Sequence, residues 1–147
     1  MSLTEQLNAD MKQAMKDQDK FRLSTIRMVR AAIKNQEIEL RRPLEDNEVI
    51  DILSREVKMR RDSLQDFMKA GRDDLVKDTS AEIDIISQYL PQQLTEEEIK
   101  AIVTQTMQET GVSSKAEMGK LMGALMPKVK GRADGKQVNQ IVQQLLQ

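Results

Sequence analysis

Apolar residues recur every three or four positions along almost the whole chain, and this spacing is the feature that most constrains its fold. Between residues 47 and 69, for example, Ile50, Leu53 and Val57 share one stripe of a helix. No segment alternates apolar and polar residues in the manner of a half-buried strand. The pattern therefore predicts an all-α, multihelical protein, with four helices followed by three shorter ones.

Polar residues mark where these helices are expected to begin. A Ser, Thr or Asp side chain accepts a hydrogen bond from the free N–H groups of a first turn, and a glutamate three residues later completes a capping box. This pattern predicts N-caps for the second and the last helix, and two capping boxes between them. The caps are Asp19 and Asp134, and the boxes are Thr95 with Glu98 and Ser114 with Glu117.

The character of the chain changes at the segment Tyr89–Leu94, and five of the six glycines lie beyond it. We therefore expect an N-terminal helical subdomain at residues 1–92 and a C-terminal three-helix subdomain at residues 93–147. Charge divides in a similar way. Residues 111–147 hold six cations and two anions, a net charge of +4, and since the whole chain carries −1, the remainder carries −5.

Composition excludes several classes of function. The chain has no cysteine and no histidine, which removes disulfides, thiolate nucleophiles, Ser-His-Asp arrangements and most transition-metal sites. There is no Gly-rich phosphate loop, so no catalytic residue, metal or cofactor is expected. Three aromatic residues are too few for a module that reads RNA by stacking bases. Apolar runs are short and no export segment is visible, so we expect a cytoplasmic protein that does not cross a membrane.

The run from Lys128 to Arg132 brings three cations to a turn before the last helix. Such lysines often do no more than keep a loop solvated. Backbone N–H groups at the start of the last helix, together with these cations, are also suited to hold a phosphate. The residues leave both interpretations open.

Gly119 and Gly123 lie four residues apart on a predicted helix, where each costs roughly 1 kcal/mol relative to alanine. Two explanations account equally well for the presence of these glycines despite this cost. The missing side chains admit a neighbouring helix, or the bare face admits a sugar–phosphate backbone.

Further basic residues lie in the first subdomain, with acidic residues within one helical turn of them. This arrangement favours a solvated face with i,i+4 ion pairs. The residues are Arg27, Arg30, Lys34, Arg41, Arg42, Lys58, Arg60 and Arg61.

Three stretches resemble the YqeY family of bacterial proteins. They are residues 26–31 (IRMVRA), 88–94 (QYLPQQL) and 118–135 (MGKLMGALMPKVKGRADG). The resemblance extends over essentially the whole chain and is most specific in the last stretch. It implies two all-helical subdomains and a relationship to the C-terminal region of the GatB subunit of the aspartyl/glutamyl-tRNA amidotransferase.

In that amidotransferase the smaller subdomain is a tail that engages the body of tRNA, and the resemblance implies the same partner here. The family is often labelled a carbon–nitrogen ligase with glutamine as amide donor, which we interpret as inherited from the larger enzyme. The expected RNA-binding residues are Gly119, Lys120, Gly123, Lys128, Lys130, Gly131, Arg132 and Lys136.

The sequence thus favours an accessory tRNA-binding module without catalysis of its own. One alternative is a detached amidotransferase component that acts only in complex, and another is an adaptor that docks helices on the N-terminal bundle. The expected partners are tRNA and either an amidotransferase or an aminoacyl-tRNA synthetase. Neither DNA nor a membrane is expected as a partner.

Overall fold

The computed structural model describes residues 1–146, which form seven α-helices, one 3₁₀ turn and no strand. The prediction of an all-α, multihelical fold is confirmed. The helices are α1 (Leu3–Lys16), α2 (Lys20–Leu40), α3 (Asp46–Lys69), α4 (Asp73–Ser87), α5 (Glu96–Thr110), α6 (Met118–Val129) and α7 (Gly135–Leu145), and the 3₁₀ turn is Lys115–Glu117.

The chain forms two compact units, the first ending at Leu90 and the second beginning at Pro91. Each unit has a hydrophobic core of its own. In the first unit α3 packs against α4, and α1 packs against α2. In the second unit α5 packs against both α6 and α7.

The first core corrects one residue of the predicted stripe on α3. Val49, Leu53 and Val57 are buried, whereas Ile50 is only half-buried. The three buried residues follow one another at steps of four and so form a single ridge along the helix. Ile50 lies at the edge of that ridge, which the apolar spacing alone does not show.

Two side-chain hydrogen bonds hold the ends of the first unit's helices. The predicted N-cap Asp19 is confirmed, since its carboxylate accepts from the backbone N–H of Arg22 at 3.1 Å. After α4, the hydroxyl of Tyr89 donates to the carboxylate of Asp10 on α1. Tyr89 is buried, and burial followed by the Asp10 carboxylate raises the pKa of its hydroxyl to about 12. This contact fastens the end of the first unit to its first helix.

In the second unit one predicted capping box forms. Thr95 Oγ1 accepts from the N–H of Glu98 at 3.1 Å, and the Glu98 carboxylate accepts in return from the N–H of Thr95 at 3.4 Å.

The other capping box, Ser114 with Glu117, is wrong. Residues 115–117 form a 3₁₀ turn, so α6 begins at Met118 with Glu117 as its N-cap residue, and Ser114 makes no capping hydrogen bond. The glutamate is therefore displaced from the third helical position that a capping box requires. Among the helices of residues 1–146, none combines the length and hydropathy needed to span a membrane.

Candidate functional site

The solvent-facing side of α6 is almost bare. Leu121 and Leu125 bury the opposite side of this helix in the second core, while Gly119 and Gly123 are exposed. A Cβ atom added at either glycine would meet no atom within 4 Å beyond its immediate chain neighbours and the helix's own nearby backbone. The explanation that these glycines admit a neighbouring helix is therefore wrong for the described structure. What remains is an open stretch of helix backbone that large ligands can approach closely.

Pro127 adds a second unusual feature to this face. It lies inside α6, one turn after Gly123, and a proline has no N–H to donate to the carbonyl four residues earlier. The carbonyl of Gly123 thus lacks its ordinary helical donor on an exposed surface. Lys120 is exposed beside it. The face therefore combines two exposed glycines with an exposed lysine, and the ring of Pro127 lies toward the carbonyl of Gly123.

The basic turn that follows α6 is held in place through its backbone. The N–H of Leu94 donates to the carbonyl of Arg132 at 2.8 Å, and the side-chain amide of Gln93 donates to the carbonyl of Gly131 at 2.9 Å. Gly131 has φ of 73°, a conformation that other residues rarely adopt. Two of the stretches that carry the family resemblance thus meet here. Their contact fixes the turn through its backbone carbonyls.

Lys128, by contrast, does not lie with the glycine face. Its Nζ is 2.7 Å from Oε2 of Glu109 and 3.0 Å from Oγ1 of Thr106, both on α5. Lys128 follows Gly123 by five residues, which on a helix corresponds to a rotation of about 140° away from the glycine face. The hydrogen bond to Lys128 and its charge lower the pKa of the Glu109 carboxyl. The ammonium group is already neutralised, so the structure separates Lys128 from the other expected phosphate ligands.

The N-terminus of α7 is already capped by a side chain of the protein. The carboxylate of Asp134 accepts from the N–H of Lys136 at 3.1 Å, which confirms the predicted N-cap. A phosphate at this helix start would have to displace or lie against that carboxylate, so the N–H groups are a poorer anion site than the sequence suggests. The side chain of Lys136 remains exposed.

The expected site residues therefore fall into four places. Gly119, Lys120 and Gly123 share the open face of α6. The turn with Lys130, Gly131 and Arg132 begins directly beyond α6, and seven residues at the helical rise place it about 10 Å from Gly123. Lys136 follows on α7, and Lys128 lies apart against α5. Sequence reasoning missed Gln93 as the residue that holds the turn, although Gln93 lies in a stretch that carries the family resemblance.

Ion pairs in the first unit divide its basic residues into two groups. Arg60 contacts Glu56 at 2.7 Å, the expected i,i+4 pair, and also Glu82 of α4 at 2.9 Å, and its side chain is largely buried rather than solvated. Arg27 and Lys34 have no carboxylate within 4.0 Å in the described part of the chain. Of the expected basic residues on α3, Arg60 alone forms an i,i+4 ion pair among residues 1–146, and on α2 Arg27 and Lys34 form none.

Comparison with known proteins identifies relatives over most of the chain. A family model described as Yqey-like protein matches residues 4–146. A protein named "Altered inheritance of mitochondria protein 41, mitochondrial" from Pyrenophora tritici-repentis is 31% identical over 143 residues, covering 95% of this chain and 78% of the relative. The proteins of that name from Eremothecium gossypii and Lachancea thermotolerans are 42% and 38% identical, covering 57% and 70% of this chain. The chain spans only 46% and 57% of those two relatives.

These names correct the expected location. The relatives are named as mitochondrial proteins, which points to mitochondria rather than to the cytoplasm. The expectation failed because a lack of cysteine and of an export segment does not distinguish the cytoplasm from an organelle interior. The matches themselves cover the residues of both helical units and the basic turn. The chain therefore belongs to the YqeY family.

Proposed function

We propose that this protein is an accessory tRNA-binding module whose second unit contacts the RNA and which performs no chemistry of its own. The observation that carries the proposal is the open face of α6, where Gly119 and Gly123 leave the helix backbone bare next to a basic turn fixed by Gln93. A bare helix face lets a sugar–phosphate backbone approach closely. The adjoining cations then neutralise its charge.

Charge distribution supports RNA as the ligand of the part of this unit that follows α5. The +4 segment from residue 111 onward belongs to a chain whose remaining part carries −5. An anionic polymer is therefore attracted to one end of the sequence and repelled by the rest. Since Lys128 is bound to Glu109, four of the expected cations lie outside this ion pair. They are Lys120, Lys130, Arg132 and Lys136.

The mode of recognition follows from what this surface offers. It has no aromatic platform for stacking, and its cations suit phosphates rather than base edges. We therefore expect binding to follow the shape of folded RNA more than its base sequence. The resemblance to the amidotransferase tail is what selects tRNA among structured RNAs.

Catalysis, in this proposal, belongs to a partner. The chain lacks histidine and cysteine, and the described residues contain no group of three or more potential ligands that could hold a metal ion. A detached amidotransferase component remains the enzymatic alternative. The isolated protein is expected to show neither glutamine hydrolysis nor tRNA amidation, and addition of the catalytic subunits separates the two hypotheses.

The direct test is fluorescence anisotropy of labelled tRNA titrated with the full chain at several salt concentrations. Four phosphate contacts predict that log K falls with log salt at a slope of about −3 to −4. The site variant is Lys130→Glu with Arg132→Glu. It leaves out Lys128, because a glutamate there would face Glu109 and destabilise α5 against α6.

A matched control carries the same change of charge in the first unit, at Arg27→Glu with Lys34→Glu. We expect the site variant to lose most of its tRNA affinity and to flatten the salt slope, while the control changes both far less. Circular dichroism checks that both variants keep their helix content. Equal affinity of the site variant and the unmodified protein would refute the proposal.

A further inference from the structure

Four cations are spaced at intervals of seven residues along α2 and its C-terminal residue. They are Lys20, Arg27, Lys34 and Arg41, and all four are exposed. Because seven residues make two turns of a helix, the side chains of Lys20, Arg27 and Lys34 form one line, which is about 20 Å long at the helical rise. Arg41 follows as the C-cap residue of α2, in a left-handed conformation with φ of 58°.

A second line, of three apolar and two polar residues, runs beside the cations at alternating steps of four and three. All of its members are exposed, and Met28 and Ile38 expose 44% and 65% of their surface. Steps of four and three are the spacing by which one helix packs its seam against another. The opposite side of α2 is committed to the first core through Ile26, Val29 and Ile33. The second, exposed line consists of Ser24, Met28, Ala31, Asn35 and Ile38.

The surface along these two lines is concave, and its cations lack ion-pair partners. A depression of about 490 Å³ is lined by Arg27, Arg30 and Lys34, and it shares Arg27 and Ala31 with a neighbouring one of about 390 Å³ that reaches Lys20. Arg30 donates to the side-chain oxygen of Asn8 at 2.7 Å. The four cations spaced at seven residues have no carboxylate within 4.0 Å in the structure of residues 1–146. Among the residues that line the two depressions Glu37 is the single acidic one, so cations outnumber carboxylates along the groove.

We propose that this face of α2 is a docking surface for an acidic amphipathic helix of a partner protein. In a helix pair the apolar seams meet, and the charged residues flanking one seam contact those flanking the other. A row of cations beside the seam therefore selects a helix with glutamate or aspartate at the flanking positions. Methionine at the seam adapts to differently shaped partners.

Other occupants fit this surface less well. A second copy of the chain in antiparallel orientation would bring the same cations face to face. In parallel orientation the cations would face Thr25, Ala32 and Glu39 of the other copy. Only Glu39 of these three is acidic, and Thr25 is buried. An RNA backbone would neutralise the cations but leave Met28 and Ile38 without an apolar partner.

The test uses the full chain and a labelled synthetic peptide of three heptads, with leucine along its seam and glutamate at the flanking positions. A control peptide has lysine in place of every glutamate. At low salt we expect the acidic peptide to bind and the basic one not to bind. Arg27→Glu with Lys34→Glu should weaken the acidic peptide about tenfold or more, since each attractive pair becomes repulsive, and should allow the basic peptide to bind.

The matched control, Lys58→Glu with Lys77→Glu, reverses two exposed cations on α3 and α4 and should leave peptide affinity nearly unchanged. Three results would overturn the proposal. They are no binding of the acidic peptide, equal weakening in both variants, and a loss of tRNA affinity in the α2 variant as large as its loss of peptide affinity. The last result would mark the face as a nucleic-acid surface.

Discussion

Replacing Gly123 by alanine is expected to stabilise the second unit by about 0.5–1 kcal/mol. The gain comes from the helix preference of alanine and from the smaller conformational freedom of its unfolded chain. It is not offset by crowding, because a Cβ at this position meets no atom within 4 Å beyond its chain neighbours and nearby helix backbone. The same argument applies to Gly119. Together the two substitutions should contribute about 1–2 kcal/mol.

Hydrogen exchange of the amides in α5, α6 and α7 measures this change within the second unit. A gain of about 0.5–1 kcal/mol corresponds to roughly two- to fivefold slower exchange of the amides that open only with the whole unit. The control is Gly111→Ala at the end of α5. There a Cβ also finds open space, but φ of 73° strains an alanine by about 1–2 kcal/mol, so exchange should become faster.

Opposite signs for Gly123→Ala and Gly111→Ala are the expected outcome. If Gly123→Ala accelerates exchange as much as Gly111→Ala does, the α6 face is not open and the reasoning fails. Gly123→Leu then relates stability to function. Unchanged or improved stability with weaker tRNA binding indicates that the bare face meets RNA, whereas unchanged tRNA affinity contradicts that role.

Three further predictions concern individual side chains. Tyr89 is the only tyrosine and should ionise near pH 12 in an absorbance titration. Because the pKa of its hydroxyl is higher in the folded than in the unfolded protein, the free energy of unfolding should fall between about pH 10 and 12. Asp10→Asn should lower the folded pKa. The hydrogen bond from Arg42, followed by that from the backbone N–H of Glu45, lowers the pKa of Glu48 to about 2. The stabilising effect of this carboxylate should therefore fade as the pH falls from 4.5 toward that value, and Arg42→Ala should raise the pKa toward its ordinary range in an NMR titration. Asp134→Ala removes the N-cap of α7 and should cost about 1 kcal/mol in thermal unfolding of the second unit.

Tertiary contacts explain why the candidate site was only partly predictable. The sequence placed Lys128 with Lys130 and Arg132 because the three are neighbours in the chain. In the structure Lys128 turns to Glu109, which lies 19 residues earlier and comes within reach only because α5 packs against α6. No local pattern indicates this pairing. The hydrogen bond from Gln93 to the turn joins residues 38 positions apart, and the spacing of residues in the sequence does not predict it either.

Most of the interactions expected within one helical turn were determined by the sequence itself, the Ser114–Glu117 capping box being the exception. Asp19, the Thr95–Glu98 pair and Asp134 cap their helices as expected, because each cap needs only residues that are two or three positions apart. The all-α fold follows from the same short-range spacing of apolar residues. Tertiary structure alone decided which polar groups stay available. Packing neutralises Lys128, leaves the row of cations on α2 without carboxylates, and keeps the face of Gly119 and Gly123 open, since these outcomes depend on which helices become neighbours in space.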